Sequence, residues 1–82
     1  MNEILIALYV PALSKSFDVF IPTAATMFEV SALVTSAIEK LADGLYVSNG
    51  AVLCSRDDGQ PLDANATPAT LNLRNGAQLL LI

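Results

Sequence analysis

The closing stretch of the chain, Leu71 to Ile82 (LNLRNGAQLLLI), constrains the fold more than any other. Leu71 and Leu73, set two apart, lead into Asn75-Gly76, a pair that readily takes the positive φ angles of a tight turn. The residues Gln78 to Ile82 are too few for a stable helix but suit a central strand. Successive side chains on a strand point to opposite faces. If Leu79 and Leu81 face a core, Leu80 and Ile82 must face away from it, and something is expected to cover them.

A chain of 82 residues makes one small domain, expected to span residues 1–82. Such a chain buries roughly two-thirds of the surface it exposes when unfolded, enough for one core. The apolar fraction is 54%, yet Lys15, Asp18, Glu29, Lys40 and Asp43 interrupt it, and no run approaches the ~18 apolar residues of a membrane span. Direct membrane insertion is therefore not expected. Met1-Asn2-Glu3 passes straight into strand-like alternation without a basic segment or a small-residue cleavage site, so it does not read as a signal peptide, and a cytoplasmic location is the expectation.

Composition also narrows the chemistry. The chain has one cysteine and no histidine, which excludes an internal disulfide, a Ser/His or Cys/His pair and the usual metal-ligand clusters. Net charge is −4, with only Lys15, Lys40, Arg56 and Arg74 basic. That balance argues against nucleic-acid binding, which needs cations along the phosphates. A protein partner is expected instead.

Glu3 to Val10 places Ile4, Ile6, Leu8 and Val10 on one face and Leu5, Ala7 and Tyr9 on the other, a strand covered at least partly on both sides. Pro11 ends its ladder. After a loop to Lys15, Ser16 to Pro22 alternates again and pairs with the first strand as a hairpin. Thr26 followed by Glu29 has the spacing of a capping box and opens a helix. Met27, Val30, Val34, Ile38 and Leu41 form its apolar stripe, widened by Leu33 and Ala37, and that stripe is expected to lie on the sheet. Gly44 suits the helix end. Leu45 to Asn49 reads as a loop in preference to a short strand that turns at Asn49-Gly50 into Ala51 to Arg56, Val52 to Arg56 reads as a strand, Asp57-Asp58-Gly59 as a turn, and Gln60 to Leu62 as a very short edge strand that tolerates Pro61. A loop from Asp63 to Thr70 returns the chain to Leu71.

The order of strand, strand, helix, strand, short strand, strand is that of an α+β β-grasp, a mixed sheet of four to five strands with one helix packed on one face. Together with Thr26 at the helix start, Asp57-Asp58-Gly59 before Pro61-Leu62, and Leu71-x-Leu73-x-Asn75-Gly76-x-x-Leu79-x-Leu81, it resembles the ubiquitin-like fold. Within that fold the chain looks most like the bacterial YukD-like proteins that accompany type VII (WXG-type) secretion systems. The resemblance implies a non-enzymatic accessory or regulatory protein that docks on secretion machinery, placed at the inner face of the membrane through its partner.

Catalytic and cofactor roles find no support in the residues. Cys54 reads as a small buried hydrophobe, because nothing adjacent except Arg56 would lower its pKa. Asp57 and Asp58 are explained by turn chemistry, and calcium would need more oxygen ligands. Gly44, Gly50, Gly59 and Gly76 all sit at turns, not in a phosphate-cradling loop. Conjugating ubiquitin-like proteins and sulfur carriers act through a Gly-Gly tail, because only glycine lets backbone pass through a narrow channel. This sequence reads Leu80-Leu81-Ile82, so a non-conjugated protein is expected. A modifier or sulfur carrier lacking its tail, or a domain of a larger membrane protein, is the alternative. What remains is surface: Leu5, Ala7, Tyr9, Leu80 and Ile82 on the sheet face away from the helix, expected to dock a partner, the alternatives being a homodimer contact or cover by a loop. Phe20 and Tyr46 could add aromatic anchors or serve as packing.

Overall fold

The computed structural model describes residues 2–44 and 52–82. The expected loop over Leu45 to Asn49, and Tyr46 with it, lies outside the described residues.

Strand β1 spans Glu3–Val10 and β2 spans Lys15–Pro22, one residue earlier than the alternation predicts. Between them Pro11–Leu13 forms one turn of 3-10 helix, closed by Ser14 at φ 52 with its amide donating to the Pro11 carbonyl at 3.0 Å. Helix α1 runs Met27–Leu41, β3 is Leu53–Ser55 and β4 is Ala77–Leu81. The sheet order is β2-β1-β4-β3. β1 pairs antiparallel with β2 and parallel with β4, and β3 pairs antiparallel with β4. This is the mixed four-stranded sheet of a β-grasp. The expected edge strand at Gln60 to Leu62 is reduced to one antiparallel bridge, Cys54 with Pro61. The Leu62 amide donates to Leu53 and the Ser55 amide to Gln60. Proline has no amide with which to extend that pairing.

The core lies between the sheet and α1. Ile6, Leu8 and Val10 of β1, Leu79 and Leu81 of β4, Ile21 and Leu53 meet Met27, Val30, Val34 and Ile38 of the helix, all buried. The predicted alternation therefore holds: Leu79 and Leu81 face inward, each 1% exposed. The helix stripe is narrower than expected. Leu33 and Leu41 are 57% and 62% exposed. At about 100° per residue Leu33 lies roughly 100° round from the Val30-Val34-Ile38 line. Leu41 is on that line, but it is the last helical residue and borders a hollow with Leu13 and Phe17.

The helix start is built as the sequence signals. The Glu29 amide donates to Thr26 Oγ1, and the Thr26 amide donates to Glu29 Oε1 at 3.0 Å, completing the capping box. Such a cap contributes about 1 kcal/mol. The other free amides of the first turn go to the 63–70 loop: Met27 donates to the Ala66 carbonyl at 2.7 Å and Phe28 to Ala64 at 3.0 Å. Pro68 is fully buried, and Ala69 donates to the Thr23 carbonyl. This loop is thus a second cap that also ties the end of β2 to the helix, and Leu71 and Leu73 at its end pack against the core. At the far end of the helix Asp43 takes φ 52 before Gly44 at φ 86, so two residues share the left-handed exit.

Candidate functional site: the sheet face opposite the helix

β1 and β4 lie side by side at the sheet centre, so the residues between their core positions form one surface. Leu5, Ala7 and Tyr9 alternate with Ile6, Leu8 and Val10, and Tyr9 stands directly opposite Leu80. Across the hairpin Leu5 faces Phe20, Ala7 faces Asp18 and Tyr9 faces Ser16. On the other side Leu80 faces Cys54. The five residues expected on this face are therefore brought together on one side of the sheet.

They are not equally open. Leu5, Ala7, Tyr9 and Leu80 are half-buried. The strongly exposed apolar positions on this side are Phe20 at 66% and Ile82 at 57%, at its two ends. Ile82 lies one residue past β4 and is held by a reciprocal pair of backbone bonds with Val52, at 2.7 and 3.0 Å. Phe20, beside Leu5, is an exposed aromatic side chain on this face. Arg56, just past β3, donates its amide to the Gln78 carbonyl and carries its guanidinium over the Tyr9 ring, 4.8 Å from the centroid. A cation over an aromatic ring contributes about 0.5–1 kcal/mol where solvent reaches it. Here it also roofs part of the apolar strip and leaves a donor group on its surface.

The turn before β4 fixes the register of this face. Gly76 takes φ 88, and its amide donates to the Leu5 carbonyl at 2.8 Å. Asn75 Oδ1 accepts from the Leu5 amide at 2.8 Å. The Asn-Gly pair thus does more than turn: its side chain and backbone dock the start of β4 onto β1.

Cys54 is fully buried, yet it faces the side away from the helix and is no part of the main core. Burial pushes its thiol above the ordinary value of 9.0, and the nearby Asp58 charge adds to the effect. A raised value holds the thiol neutral in the folded state, the opposite of what a nucleophile needs. Any stability gained this way is fully present below pH 9.0 and falls as pH rises through the folded value. In native protein at pH 8, a disulfide-exchange reagent is expected to modify Cys54 at least about tenfold more slowly than in urea, since only the exposed thiolate reacts. Equal rates would contradict the burial.

Among the described residues no group of three or more Cys, Asp or Glu could hold a metal ion. Among the described residues, hollows lie on either side of the helix. One of about 190 Å³ lies beside Phe28 and Leu62, and one of about 300 Å³ lies between Leu13, Phe17 and Leu41 with Lys15 and Asp43. Neither joins a nucleophile to a base. No helix among the described residues is long and apolar enough to cross a membrane.

No family model matches the sequence, and no curated protein matches it. Solved structures do. The ubiquitin-like domain of the Mycobacterium tuberculosis type VII secretion system protein EccD1 superposes with a TM-score of 0.80 at 11% identity, over 100% of this chain and 99% of that one. The EccD5 ubiquitin-like domain from Mycobacterium xenopi gives a TM-score of 0.74 at 18% identity, covering 100% and 94% of the two chains. A chain of the MycP5-free ESX-5 inner membrane complex gives 0.73 at 17% identity, where this chain matches 21% of the longer one. The fold is the ubiquitin-like β-grasp.

Proposed function

We propose that this chain is a non-enzymatic interaction module of the YukD-like kind, an accessory or regulatory component of a bacterial type VII secretion system. It docks on the machinery without covalent attachment, through the sheet face carrying Leu5, Ala7, Tyr9, Leu80 and Ile82. The observation that carries this reading is the apolar strip on the helix-free side, open at Phe20 and Ile82. Apolar surface gathered on one face of a small protein marks an interface more often than chance exposure. Support for the secretion link comes from the fold neighbours named above, which are ubiquitin-like domains of type VII secretion proteins and a chain of an inner membrane complex. On this reading residues 1–82 act as one domain in the cytoplasm, held at the inner face of the membrane by a protein partner, and the net charge of −4 argues against nucleic acid as that partner.

The test is capture of the tagged protein from source-cell lysate under native and denaturing conditions. The expected result is recovery of type VII secretion membrane components that disappears on denaturation. Higher-mass ladders that survive denaturation would instead mean covalent attachment, and the docking reading would fail.

A further inference from the structure

The chain holds two Asn-Gly pairs, Asn49-Gly50 and Asn75-Gly76. Such a pair can react with itself. The glycine nitrogen attacks the asparagine Cγ and closes a five-membered imide, and its hydrogen leaves with the carboxamide nitrogen as ammonia. Water then opens the imide at either carbonyl. Cleavage at Cγ gives aspartate. Cleavage at the main-chain carbonyl gives isoaspartate, in which the backbone runs through Cβ and Cγ and a carboxylate stays on Cα. Glycine permits the attack because no Cβ shields its nitrogen. Asn75 and Gly76 are exposed, so water and base reach them. Yet both reacting groups are held by one residue of β1. The Gly76 amide donates to the Leu5 carbonyl at 2.8 Å, and Asn75 Oδ1 accepts from the Leu5 amide at 2.8 Å. The Ala77 amide closes the turn on the Arg74 carbonyl at 2.9 Å, with Gly76 at φ 88. Ring closure consumes the hydrogen that Gly76 donates to Leu5, and it turns the carboxamide away from the Leu5 amide toward its own backbone. The reaction therefore waits until the start of β4 comes off β1.

We infer that Asn75 is a modification site gated by the fold: it deamidates with water when β4 leaves β1, and the isoaspartyl product stops β4 from docking again. The gate is strong because β4 is a central strand, paired with β1 on one side and β3 on the other, with Leu79 and Leu81 buried. The two products differ in what they return to Leu5. Aspartate keeps an acceptor oxygen in place of Oδ1 and leaves the glycine amide where it was, so both bonds form again, the first now charge-assisted. Isoaspartate lengthens the main chain by one carbon before the Gly76 nitrogen and shortens the carboxylate arm by one. The Leu5 amide and carbonyl then cannot both be met while Ile6 stays opposite Ala77, the register in which the two strands pair. The turn thus keeps a one-way mark of the time β4 spends unpaired. The inference concerns the β1–β4 pairing and stands apart from the docking reading.

Peptide mapping by mass spectrometry, with the aspartyl and isoaspartyl peptides separated, tests it in mildly alkaline buffer, where the attacking nitrogen loses its proton more often. Asn75 is expected to deamidate at least about tenfold more slowly in native protein than in urea, since the reaction needs a local opening. Leu8→Ala weakens the contact with Leu79 of β4 and leaves the turn untouched. It should raise the Asn75 rate in native buffer about threefold or more. For the products, Asn49→Gln leaves one Asn-Gly pair; this variant is aged in urea, returned to native buffer and its two forms are separated. The aspartyl form should unfold at a urea midpoint close to that of the unaged chain, and the isoaspartyl form at a lower one. Equal Asn75 rates in native protein and in urea overturn the inference. So does an unchanged rate in Leu8→Ala, or an isoaspartyl form no less stable than the aspartyl form.

Discussion

Replacing Leu8 by alanine is expected to lower the free energy of unfolding by about 2–5 kcal/mol, the cost of removing buried methyl groups and leaving part of the cavity unfilled. Leu8 is 0% exposed on the central strand, opposite Phe17 on one side and Leu79 on the other. Both neighbours are strand-bound, so the gap has little room to close. Native domains hold only about 5–15 kcal/mol in all. The change should therefore lower the thermal midpoint by about 10 °C or more for a domain of this size. Urea titration checks it: the midpoint should fall with the slope unchanged. Leu5→Ala, on the opposite side of the same strand and half-buried, should cost clearly less. If the two cost the same, the core would not lie where the helix meets the sheet.

The helix start, the inward Leu79 and Leu81 and the β1–β2 hairpin were legible because each depends on neighbours close in sequence. Thr26 and Glu29 are three residues apart, and strand alternation needs no knowledge of the partner strand. Leu33 and Leu41 misled for a physical reason. Spacing by three or four residues marks a direction around the helix, but not how far the sheet extends beneath it. The Asp63 to Thr70 loop read as a spacer because its work is done by backbone carbonyls, Ala64 and Ala66 accepting from Phe28 and Met27, and alanine carries no sign of that. Within the site, Leu5, Ala7, Tyr9 and Leu80 could be assigned to one face because the fold pairs the first and last strands. Arg56 over Tyr9, and Asn75 Oδ1 on the Leu5 amide, join residues far apart in sequence. Their geometry exists only once the parallel β1–β4 register does. The same register explains Cys54: it was legible as a buried hydrophobe, but its place opposite Leu80, away from the helix, was not.

The open face is where a change should alter function and leave the fold intact. Phe20 and Ile82 are its exposed ends, so Phe20→Glu with Ile82→Glu puts charge where solvent already reaches, and the fold should lose little. Leu80 is half-buried between Tyr9 and Cys54 and is a poorer choice, since a charge there would disturb packing as well as surface. Phe28→Glu with Leu33→Glu supplies the control. These residues are 72% and 57% exposed on the helix side, so the apolar area removed is similar while the face differs.

The measurement that bears most directly on the account is the affinity of these two double variants and the native sequence for the detergent-solubilised type VII secretion membrane complex of the source cell. All three proteins should first be matched by circular dichroism. Anchor residues at an interface each contribute about 1–2 kcal/mol or more, so the open-face variant should bind at least about 30-fold more weakly than the native sequence. The helix-side variant should bind within about threefold of it, as changes outside an interface do. Loss of binding in the helix-side variant with the open-face variant unaffected would contradict the account, and so would a native chain that does not bind the complex at all.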